Sequence, residues 1–163
     1  IMGDGMARRL LSEADSSLVV WNRSPEKSTK LQAEFPGRVE IVSTPKDVIA
    51  ACDTTFLMLS TPEACTAVYT MPNGVLDGVS EGKKLVDSAT LTPEDMINTS
   101  AEVKKKGGVF LEAPVSGSKV PFDLSTRLHF CPSNHGFSLS QTLSGPCRDR
   151  STCFHVLRRP GLV

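Results

Sequence analysis

Four times in this chain a hydroxyl residue is followed at once by proline: Ser24-Pro25, Thr44-Pro45, Thr61-Pro62 and Thr92-Pro93. A Ser or Thr side chain can accept a bond from the orphan N–H groups at a helix start. Proline suits the first turn because its missing N–H would have no intrahelical partner there. Each pair therefore predicts a helix start. Each also follows a short run of apolar, β-prone residues: Leu18–Trp21, Val39–Val42, Thr54–Leu59 and Lys84–Asp87. The first two helices run to about Phe35 and Ala51. The last runs to Lys104-Lys105-Lys106-Gly107-Gly108, where lysines meet the negative end of the helix dipole and glycine ends the helix. A fifth strand follows over Val109–Ala113. Ahead of the first strand, Met6, Leu10 and Leu11 carry helical spacing.

Strands that alternate with helices through short loops make a parallel sheet covered on both faces. Burial on both faces is why the strands are nearly all apolar. The fold class is α/β, a Rossmann-like doubly wound parallel sheet. In such a sheet a strand precedes the first helix. The chain opens on Ile1 rather than an initiator Met, so that strand is expected upstream and the sheet is read as lacking its first strand.

From about Val120 the pattern fails. Pro121, Pro132, Pro146 and Pro160 interrupt a stretch with neither helical nor strand period. The chain therefore divides into an α/β domain over 1–118 and an irregular tail over 119–163. Charge divides at the same place. Residues 1–118 hold 12 Lys/Arg against 16 Asp/Glu, and 119–163 hold 6 against 2. With 39% hydrophobic and 22% charged residues the composition is that of a globular domain. No apolar run reaches the roughly 18 residues of a membrane span, and no signal peptide opens the chain. Neither a membrane nor a nucleic-acid partner is expected.

Two motifs carry the chemistry. Ile1-Met2-Gly3-Asp4-Gly5-Met6-Ala7 stands where a glycine-rich turn enters its helix. Glycine there lets the backbone approach a pyrophosphate, which rests on the helix N-terminus. A plain loop is the alternative. Nineteen residues after Gly3, at the end of the next strand, comes Asn22-Arg23-Ser24. Dinucleotide folds place their ribose selector about 20 residues past the glycines, and an acid there binds the 2′-hydroxyl of NAD. Here there is no acid. Arg23 offers a permanently charged planar fork, flanked by the polar Asn22 and Ser24, a set suited to a 2′-phosphate. The cofactor read from these residues is NADP, with NAD as the alternative. Cys131, His135, Cys147, Cys153 and His155 could supply metal ligands in number, but their spacing matches no compact zinc module, and no metal is expected.

Taken in order, Ile-Met-Gly-x-x-Met-Ala, Val20-Trp21-Asn22-Arg23-Ser24, Met58-Leu59-Ser60-Thr61-Pro62, Gly74-Val75-Leu76, Val86-Asp87-Ser88-Ala89-Thr90 and Glu112-Ala113-Pro114-Val115-Ser116-Gly117-Ser118 resemble the β-hydroxyacid dehydrogenase family. The likeness is to the 3-hydroxyisobutyrate dehydrogenase and glyoxylate/succinic semialdehyde reductase branch, in its 6-phosphogluconate-dehydrogenase-like N-terminal domain. It covers about residues 1–121. The resemblance implies that Met2 and Gly3 flank the pyrophosphate and that Asn22, Arg23 and Ser24 hold the adenosine ribose phosphate. Leu59, Ser60 and Pro62 would border the cofactor, and Thr90 would lie near the nicotinamide ribose. Ser116, Gly117 and Ser118 would bind a small-molecule carboxylate substrate, in a turn whose N–H groups form an anion nest; a linker is the other reading of that turn.

There are departures. Asp4 puts a negative charge near the expected pyrophosphate. The loop Ser12–Ser17 lacks the family's usual glycine. The family's acid/base lysine, in a Gly-x-x-x-Lys-x-x-x-Asn setting of a following helical domain, has no counterpart here, and Lys119 is not that lysine. No catalytic residue is therefore assigned. The chain reads as an NADP-binding piece of a reductase of small aldehyde or 2-oxo acids, expected to lack turnover as given. Homo-oligomers are expected only of the complete enzyme, whose helical domain carries the assembly. The alternative is a non-catalytic dinucleotide-binding module, since chromatin-associated family members keep the fold without the lysine.

Overall fold

A computed structural model describes residues 2–13, 17–115, 130–133, 136–139 and 153–158. Helix α1 (Met2–Glu13) precedes strand β1 (Ser17–Trp21). Then follow α2 (Pro25–Glu34), β2 (Val39–Ile41), α3 (Pro45–Ala51), β3 (Thr54–Met58), α4 (Pro62–Thr70), α5 (Val75–Gly78), β4 (Lys84–Asp87), α6 (Pro93–Lys105) and β5 (Val109–Glu112). Three further strands lie beyond residue 119: β6 (Phe130–Ser133), β7 (Gly136–Leu139) and β8 (Cys153–Arg158).

All four Ser/Thr-Pro pairs open helices with Pro in the first turn. Three of the four hydroxyls do the capping. Thr44, Thr61 and Thr92 accept from the backbone N–H of Asp47, Ala64 and Asp95 at 3.2, 3.1 and 3.2 Å. Ser24 occupies the same position before α2 but makes no capping bond. At the other end of α6, Gly107 takes φ +82, the left-handed conformation that a helix stop favours.

The main sheet runs β2-β1-β8-β3-β4-β5. β1 pairs parallel with β2, and β4 pairs parallel with both β3 and β5. The doubly wound parallel sheet expected from the sequence is therefore present, with β1 and β3 on either side of its centre. The tail is where the expectation needs correction. β8 enters that centre antiparallel to both neighbours: Val156 stands opposite Val19 on one side and Thr55 on the other. The sequence reading left this position to a strand upstream of Ile1 and called 119–163 irregular. β6 and β7 also form a two-stranded antiparallel ladder. Two flanking strands without a partner would leave rows of unpaired N–H and C=O groups. The run Phe154-His155-Val156-Leu157 is β-prone enough to satisfy both.

Alternating strand residues bury opposite faces. Leu18, Val20 and Val39 pack with Ala7 and Leu11 of α1 and Leu31 of α2. Val19, Leu57 and Leu85 pack with residues of α3 to α6, including Ile49, Val68, Tyr69, Val75 and Val103. The result is a three-layer sandwich. The short helix α5, not expected from the sequence, starts at Gly74. A Cβ there would stand 2.6 Å from the Met71 carbonyl oxygen and 2.7 Å from that of Val68. Backbone atoms cannot swing away as a side-chain tip can. Gly74→Ala is therefore expected to cost about 1–3 kcal/mol, read as a lower urea midpoint with an unchanged slope. An unchanged midpoint would refute the close packing of α5 on α4.

Candidate functional site

Parallel strands bring their carboxyl ends to one edge, and in doubly wound sheets ligands bind there, where the strand order reverses. In this sheet the reversal lies between β1 and β3. The helix α1 reaches that edge with its N-terminus. Met2 packs with Val86, Ala113 and Val115, at the carboxyl ends of β4 and β5, while Leu11 packs near the start of β1. Gly3 lies within the first helical turn rather than in a loop. The opening N–H groups of a helix lack intrahelical acceptors, and a residue without a side chain lets an anion approach them.

Asp4, which the sequence left as an obstacle, is committed elsewhere. Its carboxylate accepts from Arg8 Nε at 2.9 Å, one turn along the helix. Arg8 also donates through Nη2 to Glu34 of α2 at 3.0 Å and through Nη1 to the same carboxylate. These bonds hold Glu34 below the ordinary carboxylate range and raise Arg8 further above neutrality. Asp4 is thereby paired within the α1–α2 layer.

At the end of β1, Asn22 is buried and Arg23 and Ser24 are more open. Asn22 Oδ1 accepts from the Ser24 N–H at 3.1 Å, closing a tight turn that presents Arg23 outward. Because Ser24 makes no capping bond, its hydroxyl is not committed to the start of α2. At the end of β3, Leu59 is buried in the core on the α3–α6 side, so only its backbone faces the edge. Ser60 and Pro62 are exposed there, on either side of the capping Thr61. At the end of β4, Thr90 is exposed. Thus the structure brings Met2, Gly3, Asn22, Arg23, Ser24, Ser60, Pro62 and Thr90 to one edge. The substrate residues expected at Ser116, Gly117 and Ser118 lie outside the described residues, as does Lys119.

Three residues near this edge carried no role in the sequence reading. Ser88 is 1% exposed, and among the described residues its hydroxyl has no hydrogen-bond partner. By strand alternation it shares the face of Val86, which packs against Met2. A buried hydroxyl without a partner is costly and points to a polar group that is to be supplied. Asp87, fully buried, turns to the opposite face. It accepts from the Tyr69 hydroxyl at 2.8 Å and from the Ala89 N–H at 2.9 Å. Burial pushes its carboxyl up to about 6, against the two hydrogen bonds that favour the ionised form. Burial likewise pushes Tyr69 well above its ordinary value, helped by the charge of Asp87. The only early signal for the pair was the Val-Asp-Ser-Ala-Thr motif.

Other features are remote or inert. Burial pushes the Cys65 thiol up to about 12, so it supplies no thiolate near neutrality. A cavity of about 750 Å³ opens beside Ser17, Gln32, Arg38 and Glu40, at the amino ends of β1 and β2 and away from the site. Among the described residues no group of three or more His, Cys, Asp or Glu could hold a metal ion. Of the tail's candidate ligands, Cys131, Cys153 and His155 fall in strands described by their backbone, while His135 and Cys147 lie outside the described residues. No described helix is long and apolar enough to cross a membrane.

The chain is 41% identical over 121 residues to glyoxylate/succinic semialdehyde reductase 2, chloroplastic, of Arabidopsis thaliana, covering 74% of this chain and 33% of the relative. It is 38% identical over 119 residues to the cytokine-like nuclear factor N-PAC of Danio rerio, covering 73% and 25%. Among solved structures, Psf3 in complex with NADP+ and 2-OPP superposes with a TM-score of 0.64 at 29% identity, over 72% of this chain and 40% of that one. The 3-hydroxyisobutyrate dehydrogenase of Mycobacterium tuberculosis gives 0.58 at 25%, over 71% and 38%. The chain spans a quarter to a third of the length of these curated relatives. The model of the NAD binding domain of 6-phosphogluconate dehydrogenase matches residues 1–128. The chain belongs to that family and carries a NAD(P)-binding domain of the hydroxyacid dehydrogenase kind.

Proposed function

We propose that this domain binds NADP across the carboxyl edge of its sheet and serves a reductase of small aldehyde or 2-oxo acids. The observation that carries the cofactor choice is the turn after β1. It presents Arg23 beside a Ser24 hydroxyl released from capping, and no acid stands there to claim a free 2′-hydroxyl. In this reading Arg23 and Ser24 hold the 2′-phosphate and Asn22 shapes the turn. Met2 and Gly3 receive the pyrophosphate on the N-terminus of α1. The backbone at Leu59, with Ser60 and Pro62, borders the cofactor where β3 ends. Thr90, at the exit of β4 and three strands from β1 in the sheet, meets the nicotinamide half. The orphaned Ser88 hydroxyl and the absence of a side chain at Gly3 fit an anionic dinucleotide here. When bound, the cofactor supplies hydride chemistry at its nicotinamide ring. Ser116, Gly117 and Ser118 hold the substrate carboxylate.

No residue of the chain is assigned the acid/base step, so these 163 residues bind cofactor without turnover. A second reading, a non-catalytic dinucleotide-binding module, draws on the comparable likeness to N-PAC. NADPH-dependent reduction of glyoxylate by the product of the full-length gene favours the reductase, and its absence favours the module.

The test is calorimetric titration with NADPH and NADH. Arg23→Ala is expected to weaken NADPH about 10- to 100-fold, the worth of a charge-assisted bond to phosphate, and to leave NADH nearly unchanged. Equal losses for the two cofactors would refute the 2′-phosphate assignment.

A further inference from the structure

We propose that Tyr69 and Asp87 are positioning residues for the nicotinamide half of the cofactor, acting through the Ala89–Thr90 backbone where β4 ends. This rests on the dinucleotide reading above. The chain leaves β4 through Asp87, Ser88, Ala89 and Thr90. The first two are tied down by the sheet. The Ala113 N–H donates to the Asp87 carbonyl at 2.8 Å, the Ser88 N–H to the Leu57 carbonyl at 2.8 Å, and the Val115 N–H to the Ser88 carbonyl at 3.3 Å. From Ala89 onward the ladder ends. The bond that directs the chain there is the one from the Ala89 N–H to Asp87 Oδ1 at 2.9 Å, a turn closed two residues on.

The other oxygen of that carboxyl is held from behind. Tyr69 lies in α4, the helix that starts at the end of β3 under the Thr61 cap. Its hydroxyl donates to Asp87 Oδ2 at 2.8 Å, and both residues are buried. One chain of hydrogen bonds thus runs from Tyr69, in the last turn of α4, to the exit of β4. Its last member is Ala89, 0% exposed, directly before the exposed Thr90. A buried carboxyl is a costly way to fill core space. Its use here is directional, because a single group must accept from Ala89 on one oxygen and be held by Tyr69 on the other. In doubly wound sheets the ribose selector ends the strand on one side of the reversal. Here that strand is β1. The exit of β4, beyond the reversal, therefore meets the opposite half of the dinucleotide.

The experiment compares two ligands on the same protein: NADPH, and adenosine 2′,5′-bisphosphate, which has the adenosine half alone. Asp87→Ala is expected to weaken NADPH about tenfold and to leave the bisphosphate unchanged. Asp87→Asn keeps an acceptor for the Ala89 N–H and can donate to the Tyr69 oxygen, so it is expected to hold NADPH within about twofold of the parent. Tyr69→Phe, which removes one oxygen atom, carries the test if Asp87→Ala does not fold. Its expected result is about a threefold loss for NADPH and none for the bisphosphate. Equal losses for both ligands would show a merely structural role and overturn the proposal. So would unchanged NADPH binding, or an Asp87→Asn variant as weak as Asp87→Ala. If Arg23→Ala leaves bisphosphate binding intact, the 2′-phosphate reading fails on its own. If the parent protein binds neither ligand, both readings fall.

Discussion

Val156→Pro is expected to abolish the cooperative unfolding transition. Val156 sits in the middle of β8, opposite Val19 of β1 and Thr55 of β3. Proline has no N–H to donate to the ladder, and a strand flanked on both sides has no open edge to face it toward. Loss of β8 unpairs two neighbours at once. The expected cost exceeds 3 kcal/mol, the scale of a proline in a regular element, against a total of about 5–15 kcal/mol for a natural domain. Trp21, the single tryptophan of the chain, lies opposite Phe154 in the strand register and donates from Nε1 to the Ser43 carbonyl at 3.1 Å. Its fluorescence should follow the loss directly. Val156→Thr, which keeps the N–H and the β-branched shape, should retain the transition. A parent-like melt for Val156→Pro would show that β8 does not close the sheet.

Asp87→Asn is expected to change how stability depends on pH. The Asp87 carboxyl stands at about 6 in the folded protein because burial penalises its charge. In the unfolded chain it titrates near 3.9. Between these values the native state binds the extra proton. The contribution of this group is therefore fully present below about pH 4 and is lost as pH rises through about 6. At about 1.4 kcal/mol per pH unit of displacement, the loss is about 3 kcal/mol. Asparagine is uncharged throughout. The stability of Asp87→Asn relative to the parent should thus rise by about 2 kcal/mol from pH 4 to pH 7, most of the full loss. Urea midpoints at the two pH values, taken as the difference between the two proteins, remove the titration of all other groups. A flat difference would mean that Asp87 keeps an ordinary affinity for its proton.

Local chemistry explains why so much of the fold was legible in advance. Each Ser/Thr-Pro pair combines a cap and a preset φ within two residues, so the helix starts at 25, 45, 62 and 93 could be read without tertiary information. The strands β1 to β5 were legible as short β-prone runs between the helix signals, although only β1 and β4 bury three residues in a row. The helix α5 was not, since its four residues carry no period and its start at Gly74 is set by close approach to α4. At the site, spacing from Gly3 to Asn22-Arg23-Ser24 was enough to bring those residues together. It did not reveal that Ser24 leaves its cap unmade, nor that Asp4 turns to Arg8.

By itself, then, the sequence determined a parallel α/β sheet, its helix starts and the residues along its carboxyl edge, because these follow from caps, periods and short spacings. Only the tertiary structure decided what fills the centre of the sheet and which buried groups stand behind the site. The pairing of β8 with β1 and β3 joins residues more than 90 positions apart, and no local signal encodes a partner at that distance. The bond from Tyr69 to Asp87 crosses 18 positions from a helix to a strand end. It exists only once α4 has packed on the sheet and removed both groups from water.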